Sequence, residues 1–386
     1  MPVPLKYNFR NLRVRWATSL LTVAGITAVT LVFVMIFSMG LGIERSLVGS
    51  GHPLNIIALR TGATAESQSL VTKQQVDDVL GLSGIVKDEA GEPLVSAELV
   101  VVANLVKKDG GKANAAIRGV GLRATKLRDG LKLVEGRWFR QSVGEVVVGK
   151  GVSARFKGLK IGDTPFFRGR AWTVVGVFGA EGQSYESEIW GDVEDLKVQF
   201  KRDYSAILIR AKDSAEVDRL VSVIKGDKQF RMDAKPHVEY YRDQNMAAGM
   251  IKAMGAVMAV VLSVGAIFGA ANTMYAAVAA WTREIATLRV LGFARTSIWF
   301  SFVFEAALLG LAGGLLGSCL AWLFFDNFSA GTVNWQSFSE LAFNFRVTPG
   351  LGLVGAILAM LMGIAGGFFP AFRASRMTIA KALRGM

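Results

Sequence analysis

The sequence predicts a membrane protein with four transmembrane α-helices and a large mixed α/β domain inserted between helices 1 and 2. One observation is a set of four long apolar segments, at Ala17–Leu41, Ile251–Ala280, Ile298–Phe325 and Leu351–Phe372. The other is the polar stretch 44–250, which separates the first apolar segment from the remaining three. A bilayer core requires about 20 consecutive apolar residues per helix. Each of the four segments is long enough to span.

Short basic stretches flank the apolar segments and set the predicted orientation. The formal net charge is +13, and the N-terminal tail, the loop after the second helix and the C-terminal tail together hold +10 of it. Lysine and arginine in short flanking loops mark the cytoplasmic face of a membrane. Both termini are therefore predicted to be cytoplasmic. Because the basic residues lie at helix ends and form no separate patch, we expect no nucleic-acid partner.

These two patterns divide the chain into nine predicted segments. In order they are a cytoplasmic N-terminal segment (1–16), helix 1 (17–43), an extracytoplasmic domain (44–250), helix 2 (251–281), a cytoplasmic loop (282–297), helix 3 (298–325), a short extracytoplasmic loop (326–348), helix 4 (349–372) and a cytoplasmic C-terminal tail (373–386). The first apolar run is longer than the core of a secretory signal, so we interpret it as an uncleaved anchor.

The 44–250 segment is long enough to bury a core of its own. Short runs rich in valine, isoleucine and leucine are typical of strands, and they occur at Asn55–Leu59, Ala97–Ala103, Glu145–Val148, Ala171–Val177 and Ser205–Arg210. Helical spacing of apolar residues is found at Gln74–Leu80 and Ser214–Ile224. The second of these helices precedes a predicted strand at Arg231–His237, which indicates a strand–helix–strand unit.

Cysteine and histidine are too scarce for metal or disulfide chemistry. The single cysteine, Cys319, falls in the third apolar segment, and the only histidines are His52 and His237. No spacing of these residues suits a zinc site. We therefore expect no metal site. We also expect no catalytic residue and no cofactor bound by this chain.

The segment Gly144–Gly151 imitates the glycine and lysine spacing of a phosphate-binding P-loop. A P-loop requires serine or threonine after its lysine for magnesium, but here Gly151 follows Lys150. The intervening valines are typical of a strand and not of a loop of backbone N–H groups. The sequence therefore predicts no nucleotide site here.

The loop between helices 2 and 3 is predicted to contain a short amphipathic helix. Trp281, Ile285, Leu288 and Leu291 fall on one apolar stripe, whereas Arg283, Glu284 and Arg289 lie off it, and Gly292 is placed to end the helix. Because both ends of the loop continue into spanning helices, force applied to it would tilt both of them. An ordinary interfacial helix that anchors the turn remains the alternative.

Glycines recur four residues apart in the apolar segments, a spacing that is typical of packed transmembrane helices. Glycine pairs at the small-xxx-small spacing allow helix backbones to approach closely; they are Gly265 with Gly269, Gly310 with Gly314, Gly313 with Gly317, and Gly363 with Gly367. Glu305 and Asn272 are the polar residues of interest within these segments. An intramembrane carboxylate is a candidate functional residue, but a structural hydrogen bond between helices is the expected role of both.

The loop sequence resembles the signature of the FtsX/MacB-type ABC transporter permeases. The resemblance lies in Asn272–Met274 followed by Trp281–Phe293, and it extends to Asn8–Arg13 with Leu20–Ile26, Gly136–Phe139, Val147–Gly149, Gly162–Asp163, Thr173–Val177, Pro370–Ala371 and Lys381–Arg384. These stretches occur in the family's order along nearly the whole chain. Two positions depart from the pattern, since Ala286 replaces a usual glycine and Thr378 a frequent proline.

The resemblance implies a dimeric permease of the mechanotransmission type, driven by a cytoplasmic ABC ATPase that uses ATP and magnesium. With about sixteen residues before the first helix, we expect that ATPase to be a separate polypeptide. The segment Arg283–Gly292 would be the coupling helix that docks on it. The second permease subunit would be another copy or a paralogue, in contact with membrane lipids, and a periplasmic adaptor and an outer-membrane protein are further expected partners.

The expected function is therefore that of a permease subunit in a bacterial inner membrane, with the ATPase activity in a partner. ATP hydrolysis would move the periplasmic domain for export of a substrate or its extraction from the periplasm or outer leaflet, as in efflux or lipoprotein release. Two alternatives remain at this point: regulation of a cell-wall hydrolase in an FtsX-like complex, or a membrane-anchored sensor without transport activity. The sequence names neither the substrate nor the adaptor.

Overall fold

The helices of this computed structural model include four that are much longer than the rest. Residues 16–227, 229–334 and 337–377 are described. The helices are α1 (Trp16–Val48), α2 (Lys73–Leu80), α3 (Lys150–Arg155), α4 (Val193–Phe200), α5 (Ser214–Gly226), α6 (His237–Gln244), α7 (Met246–Ala280), α8 (Thr282–Val290), α9 (Arg295–Phe325) and α10 (Pro349–Ser375). By length and composition, α1, α7, α9 and α10 are able to cross a membrane. The predicted N-terminal segment up to residue 15 and the predicted tail from Thr378 lie outside the described residues.

The strands belong almost entirely to the segment between α1 and α7. They are β1 (Asn55–Arg60), β2 (Val95–Val106), β3 (Lys112–Val120), β4 (Lys132–Gly136), β5 (Glu145–Gly149), β6 (Phe166–Phe167), β7 (Arg170–Ala171), β8 (Thr173–Gly179), β9 (Glu188–Asp192), β10 (Ala206–Arg210), β11 (Met232–Pro236), β12 (Ser329–Val333) and β13 (Glu340–Asn344). The predicted fold class, four apolar helices with an α/β domain between the first two, is confirmed.

The chain divides into two compact units. The α/β unit consists of residues 42–249 and 329–344, and the helical unit of residues up to 41, 250–328 and 345 onward. The helices run past the predicted segment bounds, since α1 ends at Val48 and α7 begins at Met246. The predicted loop 326–348 contains the hairpin β12–β13, which belongs to the α/β unit.

One nine-stranded sheet organises the α/β unit, in the order β11-β1-β10-β2-β3-β9-β5-β8-β4. Neighbours are antiparallel except for β3 with β9 and β5 with β8. The long strand β2 joins the two halves, because Val95–Glu98 pair with β10 and Leu99–Val106 pair with β3. The predicted strand–helix–strand unit is present as β10–α5–β11, with β1 inserted between its two strands. A large apolar core packs against the sheet.

Three strands of this sheet, β3, β4 and β9, were not predicted. The sequence of β3 is rich in alanine and contains asparagine, and β9 carries Glu188 and Asp192 in a wholly buried strand. Pairing with β2 and with each other stabilises both strands despite this composition, since strand propensity depends strongly on tertiary context.

Close backbone contacts hold α9 against α1 and α10 in the helical unit. A Cβ placed at Gly317 would lie 2.7 Å from the carbonyl oxygen of Thr27, and one at Gly310 would lie 2.5 Å from that of Ala359. The hydroxyl of Thr27 donates to the carbonyl of Gly313 at 3.2 Å. Only glycine permits such distances between helix backbones.

Candidate functional site: the loop helix, the helix face of α7 and the α/β junction

The loop helix α8 is fixed to the ends of three long helices. Ile285 and Ala286 are buried, at 2% and 3% exposure. Ile285 belongs to an apolar cluster that also includes Leu288 and residues of α7, α9 and α10: Met274, Ala277, Val278, Ile298, Phe302, Ala371 and Ala374. The loop helix and the ends of α7, α9 and α10 therefore share one apolar cluster.

Gly292 ends this segment in a tight turn. Its φ is +90°, a region that glycine adopts without the strain of a Cβ. The N–H of Phe293 donates to the carbonyl of Leu288 at 3.1 Å, and that of Gly292 donates to Arg289 at 3.2 Å. These two bonds form a Schellman motif, which satisfies the last carbonyls of the helix.

The polar face of α8 carries its predicted coupling residues in different environments. Arg283 and Glu284 are exposed, and neither forms an ion pair with another residue of the described chain. Arg289 is half-buried and its Nη1 donates to the carbonyl of Phe293 at 3.2 Å. The predicted apolar stripe was wrong at Leu291, which lies beyond the helix end and is 68% exposed; Ala286 takes its place in the buried face.

Polar side chains meet between the long helices near their α8 end. Glu305 is buried at 4% exposure and borders a small cavity of about 20 Å³, together with Thr18, Thr22 and Thr273. The hydroxyls of Thr22 and Thr273 are 2.7 Å apart and join α1 to α7. A cavity of this size has room for about one water molecule.

The predicted packing glycines fall into two groups. A Cβ at Gly314 would lie 2.6 Å from the Cβ of Ala359, and Cβ atoms at Gly363 and Gly367 would collide with Ala306. By contrast, Cβ positions at Gly265 and Gly269 have no described atom within 4 Å. Asn272 follows them at helical spacing and is exposed, so Gly265, Gly269 and Asn272 form one face of α7, here called the α7 face, without a partner among the described residues.

Within the α/β unit, the segments that lead from α1 and into α7 meet directly. The hydroxyls of Ser50 and Ser184 are 2.8 Å apart, and the Tyr185 hydroxyl donates to the carbonyl of Ser50 at 3.0 Å. The N–H of His52 donates to Nδ1 of His237 at 3.4 Å. Burial lowers the pKa of His237 well below its ordinary value, so this histidine is neutral and able to accept the bond.

The hairpin β12–β13 is hydrogen-bonded to the same part of the α/β unit. The N–H of Ala342 donates to Ser187 at 2.7 Å, and the amide of Asn334 donates to Gln244 at 3.1 Å. A side chain at Gly42 would collide with the backbone of Asn344. Three connections to the long helices therefore enter one joined region, which sequence reasoning missed because its serines carry no distinctive spacing.

A buried cluster of charged residues lies beside this junction. Arg118 donates to Glu66, Glu98 and Glu188 at 2.6, 2.7 and 2.7 Å, and Arg128 also binds Glu98. The Nε1 of Trp190 donates to Glu188 at 2.7 Å. These paired charges fix the relative positions of β2, β3 and β9, because removal of one member leaves a buried charge with fewer partners.

The false P-loop segment has the predicted strand geometry. Residues Glu145–Gly149 form β5 within the sheet, and a side chain at Gly149 would collide with the backbone of Glu186. Lys150 begins the short helix α3 and is exposed. The two glycines at Gly149 and Gly151 therefore allow close approach to a protein backbone.

Comparison with known proteins relates both units to one family. Residues 19–226, a little over half of the chain, match the model of the MacB-like periplasmic core domain, and residues 256–379 match that of the FtsX-like permease C-terminal domain. The resemblance predicted from the sequence motifs is thereby confirmed.

Individual relatives are distant in sequence. An uncharacterized ABC transporter permease of Methanocaldococcus jannaschii is 23% identical over 99% of this chain and 97% of its own length. A probable export ATP-binding/permease protein of Pseudomonas fluorescens is 25% identical, over 95% of this chain and 58% of its own. The macrolide export ATP-binding/permease protein MacB of Neisseria meningitidis is 26% identical, over 70% of this chain and 43% of its own. The chain thus spans about half the length of these two ATP-binding/permease relatives.

Among solved structures, the periplasmic region of MacB from Actinobacillus actinomycetemcomitans is matched over 52% of this chain and 96% of its own, at 17% identity and a TM-score of 0.38. The two family models, in the order of the α/β unit and the helices that follow it, decide the assignment. The chain belongs to the MacB/FtsX type of ABC transporter permease, a multi-pass membrane protein with a MacB-like periplasmic core domain and an FtsX-like permease domain.

Proposed function

We propose that this chain couples ATP hydrolysis by a separate cytoplasmic ABC ATPase to movement of its α/β domain, for export or extraction of a substrate. In this proposal α8 is the docking site of the ATPase, and both chain ends lie in the cytoplasm of a bacterial inner membrane. The observation that carries it is the pairing of a buried apolar face at Ile285 and Ala286 with exposed charges at Arg283 and Glu284.

The packing of α8 supports transmission of force. Its buried face contacts the ends of α7, α9 and α10, so a push on the exposed face reaches three helices together. Within the α/β unit, the segments after α1 and before α7 are joined by hydrogen bonds around Ser50 and His237. Movement of either segment would therefore displace the core of the domain, which also contains the buried charge cluster.

The α7 face supports a dimer. Gly265, Gly269 and Asn272 allow close approach of another helix and supply one polar group, and no described residue of this chain occupies that surface. A second copy or a paralogue would fill it. The names of relatives that export macrolides or act as export proteins support the export role over hydrolase regulation, with an adaptor and an outer-membrane protein as further proposed partners.

The decisive experiment reverses the exposed charge on α8. The variant Glu284→Lys, co-expressed with the cognate ATPase, should insert and fold normally because the side chain is exposed. Losing a charge pair at an interface costs about 2–5 kcal/mol, so ATPase co-purification should fall by roughly thirty-fold or more. Binding is measured by quantitative pull-down from detergent.

The matched control is Glu135→Lys, the same charge reversal at an exposed position of the α/β unit. It should leave the amount of bound ATPase unchanged. Normal ATPase binding and transport by Glu284→Lys would refute the docking site on α8, and an equal loss in both variants would show a general charge effect.

A further inference from the structure

An open groove of about 540 Å³ lies on the α/β unit, away from the junction residues named above. It is bordered by β2, by the small hairpin β6–β7 and by the end of α4. Its apolar wall includes Val102, Phe166 and Phe200, and its polar wall includes Arg168 and Arg202. Grooves of roughly 300–1,000 Å³ are the size of small-ligand sites.

The apolar wall is fixed in place by the side chain beneath it. Phe167 is buried and stacks on Trp172, with ring centroids 5.2 Å apart, and its ring lies 6.5 Å from that of Phe200. The neighbouring Phe166 points outward and is 69% exposed. The amide of Gln199 donates to the carbonyl of Arg168, which ties the hairpin to α4. The groove is therefore formed before any ligand arrives.

The polar wall carries two positive charges without acidic partners. The guanidinium of Arg168 lies over the ring of Phe200, 5.5 Å from its centroid. Arg202 donates to the carbonyl of Ser69 at 2.7 Å, and burial lowers its pKa. No carboxylate of the described residues lies within ion-pair distance of either arginine. Guanidinium groups bind carboxylates and phosphates strongly, so these two side chains are suited to bind an anion.

We propose that this groove binds an amphipathic anion, whose apolar body lies on Val102, Phe166 and Phe200 and whose carboxylate or phosphate is held by Arg168 and Arg202. The inference rests on the proposed function in that it names a substrate class for the α/β domain. Its binding step requires neither ATP nor the ATPase, so it is measured independently of α8.

The test uses photolabelling of the intact chain in nanodiscs of a zwitterionic lipid. The probe is dodecanoate with a terminal diazirine, and crosslinked peptides are mapped by mass spectrometry. Labelling is expected at the aromatic wall, around Phe166 and Phe200. In the double variant Arg168→Gln with Arg202→Gln, labelling there should fall about tenfold or more, since two charge-assisted contacts are lost. Arg231→Gln, an exposed arginine outside the groove, is the matched control.

Probes with other head groups define the ligand. A dodecyl phosphate probe that labels better than the carboxylate would assign phosphate as the head group, and the reverse result would assign carboxylate; both support the proposal. Equal labelling by a dodecyltrimethylammonium probe, or labelling that survives the double variant, would overturn it. So would a label found only in the long helices. The double variant should bind the ATPase through α8 as well as the wild type does. Failure of the groove proposal is therefore distinguishable from failure of the proposed function.

Discussion

The guanidinium of Arg128 donates hydrogen bonds to both carboxylate oxygens of Glu98, at 2.7 and 2.6 Å, in the interior of the α/β unit. Arg118 donates to the same carboxylate at 2.7 Å. Burial by itself would raise the pKa of Glu98, but the charges of Arg128 and Arg118 outweigh it and lower the pKa to about 2. The domain core therefore depends on an ionised glutamate.

This ion pair predicts an acid-sensitive domain. Because the folded pKa of about 2 lies below the ordinary value of 4.5, the carboxylate stabilises the fold above pH 4.5, and that stabilisation is lost as the pH falls toward 2. The variant Glu98→Gln should lose about 3–5 kcal/mol of unfolding free energy at neutral pH, because the buried Arg128 loses its acidic partner and Arg118 loses one of three. Its stability should also depend less on pH between 4.5 and 2. Denaturant unfolding at several pH values measures both effects.

Glu145 provides the matched control for the buried pair. Its hydrogen bond with Arg137 lowers its pKa to about 2 as well, but the pair lies at the protein surface. Solvent screens such a pair, so Glu145→Gln should cost no more than about 1 kcal/mol. Similar losses in the two variants would show that burial does not set the importance of Glu98.

The periodicity of apolar residues and the distribution of charge predicted the long helices and several strands. They did not predict how the strands pair in the nine-stranded sheet. Four apolar runs and valine-rich segments have local signals, and the structure has helices or strands at each of them. The strand β9 has no such signal, because Glu188 and Asp192 make it look exposed. Glu188 is buried because it accepts hydrogen bonds from Arg118, on the neighbouring strand β3, and from Trp190. The partner Arg118 is not readable from local sequence.

The candidate site shows the same limit. The loop helix was predicted from its spacing and from family resemblance, whereas the exposure of Leu291 follows from where Gly292 turns the chain. The contact between Ser50 and Ser184 joins residues far apart in sequence and has no motif. Long-range contacts between small polar residues can be identified only once the fold is known.

Helix packing predicts a strong contrast between two glycines. A Cβ at Gly363 would collide with the carbonyl of Ala306, while one at Gly25 meets no described atom within 4 Å. Gly363→Ala should therefore destabilise the helical unit by about 1–3 kcal/mol through overpacking. Gly25→Ala should be neutral or slightly stabilising. Thermal unfolding of both variants in the same detergent provides the comparison, and equal melting temperatures would contradict this packing.

Lys150 should be dispensable for nucleotide turnover. Although it follows a glycine-rich pattern, it is exposed at the start of α3, after a strand embedded in the sheet. In a phosphate-binding loop, loss of the lysine would remove a contact to the nucleotide. We expect Lys150→Ala to leave ATP hydrolysis by the assembled transporter unchanged. A loss of hydrolysis comparable to that of Glu284→Lys would place nucleotide chemistry in the α/β unit.

The proposed orientation is tested by cysteine labelling in a Cys319→Ala background. Asp109→Cys and Val333→Cys lie at exposed sites of the α/β unit, and Thr296→Cys lies at an exposed site in the first turn of α9. With basic loops in the cytoplasm, the first two should react with an impermeant maleimide in intact spheroplasts. Thr296→Cys should react only after lysis. Reaction of Thr296→Cys from outside would overturn the orientation.

The α7 face predicts where two permease subunits meet. Gly269 has no described atom within 4 Å of a Cβ placed on it, and Gly265 and Asn272 lie on the same side of the helix. A leucine at Gly269 should leave the subunit folded but push apart a helix packed against it, because small residues permit the closest approach. Gly269→Leu should therefore shift the protein toward monomer in native mass spectrometry. Gly25→Leu, an equally open position on α1, is the control and should keep the dimer. If Gly269→Leu remained as dimeric as the wild type, the second subunit would have to pack on another helix, and the α7 face would be a lipid contact.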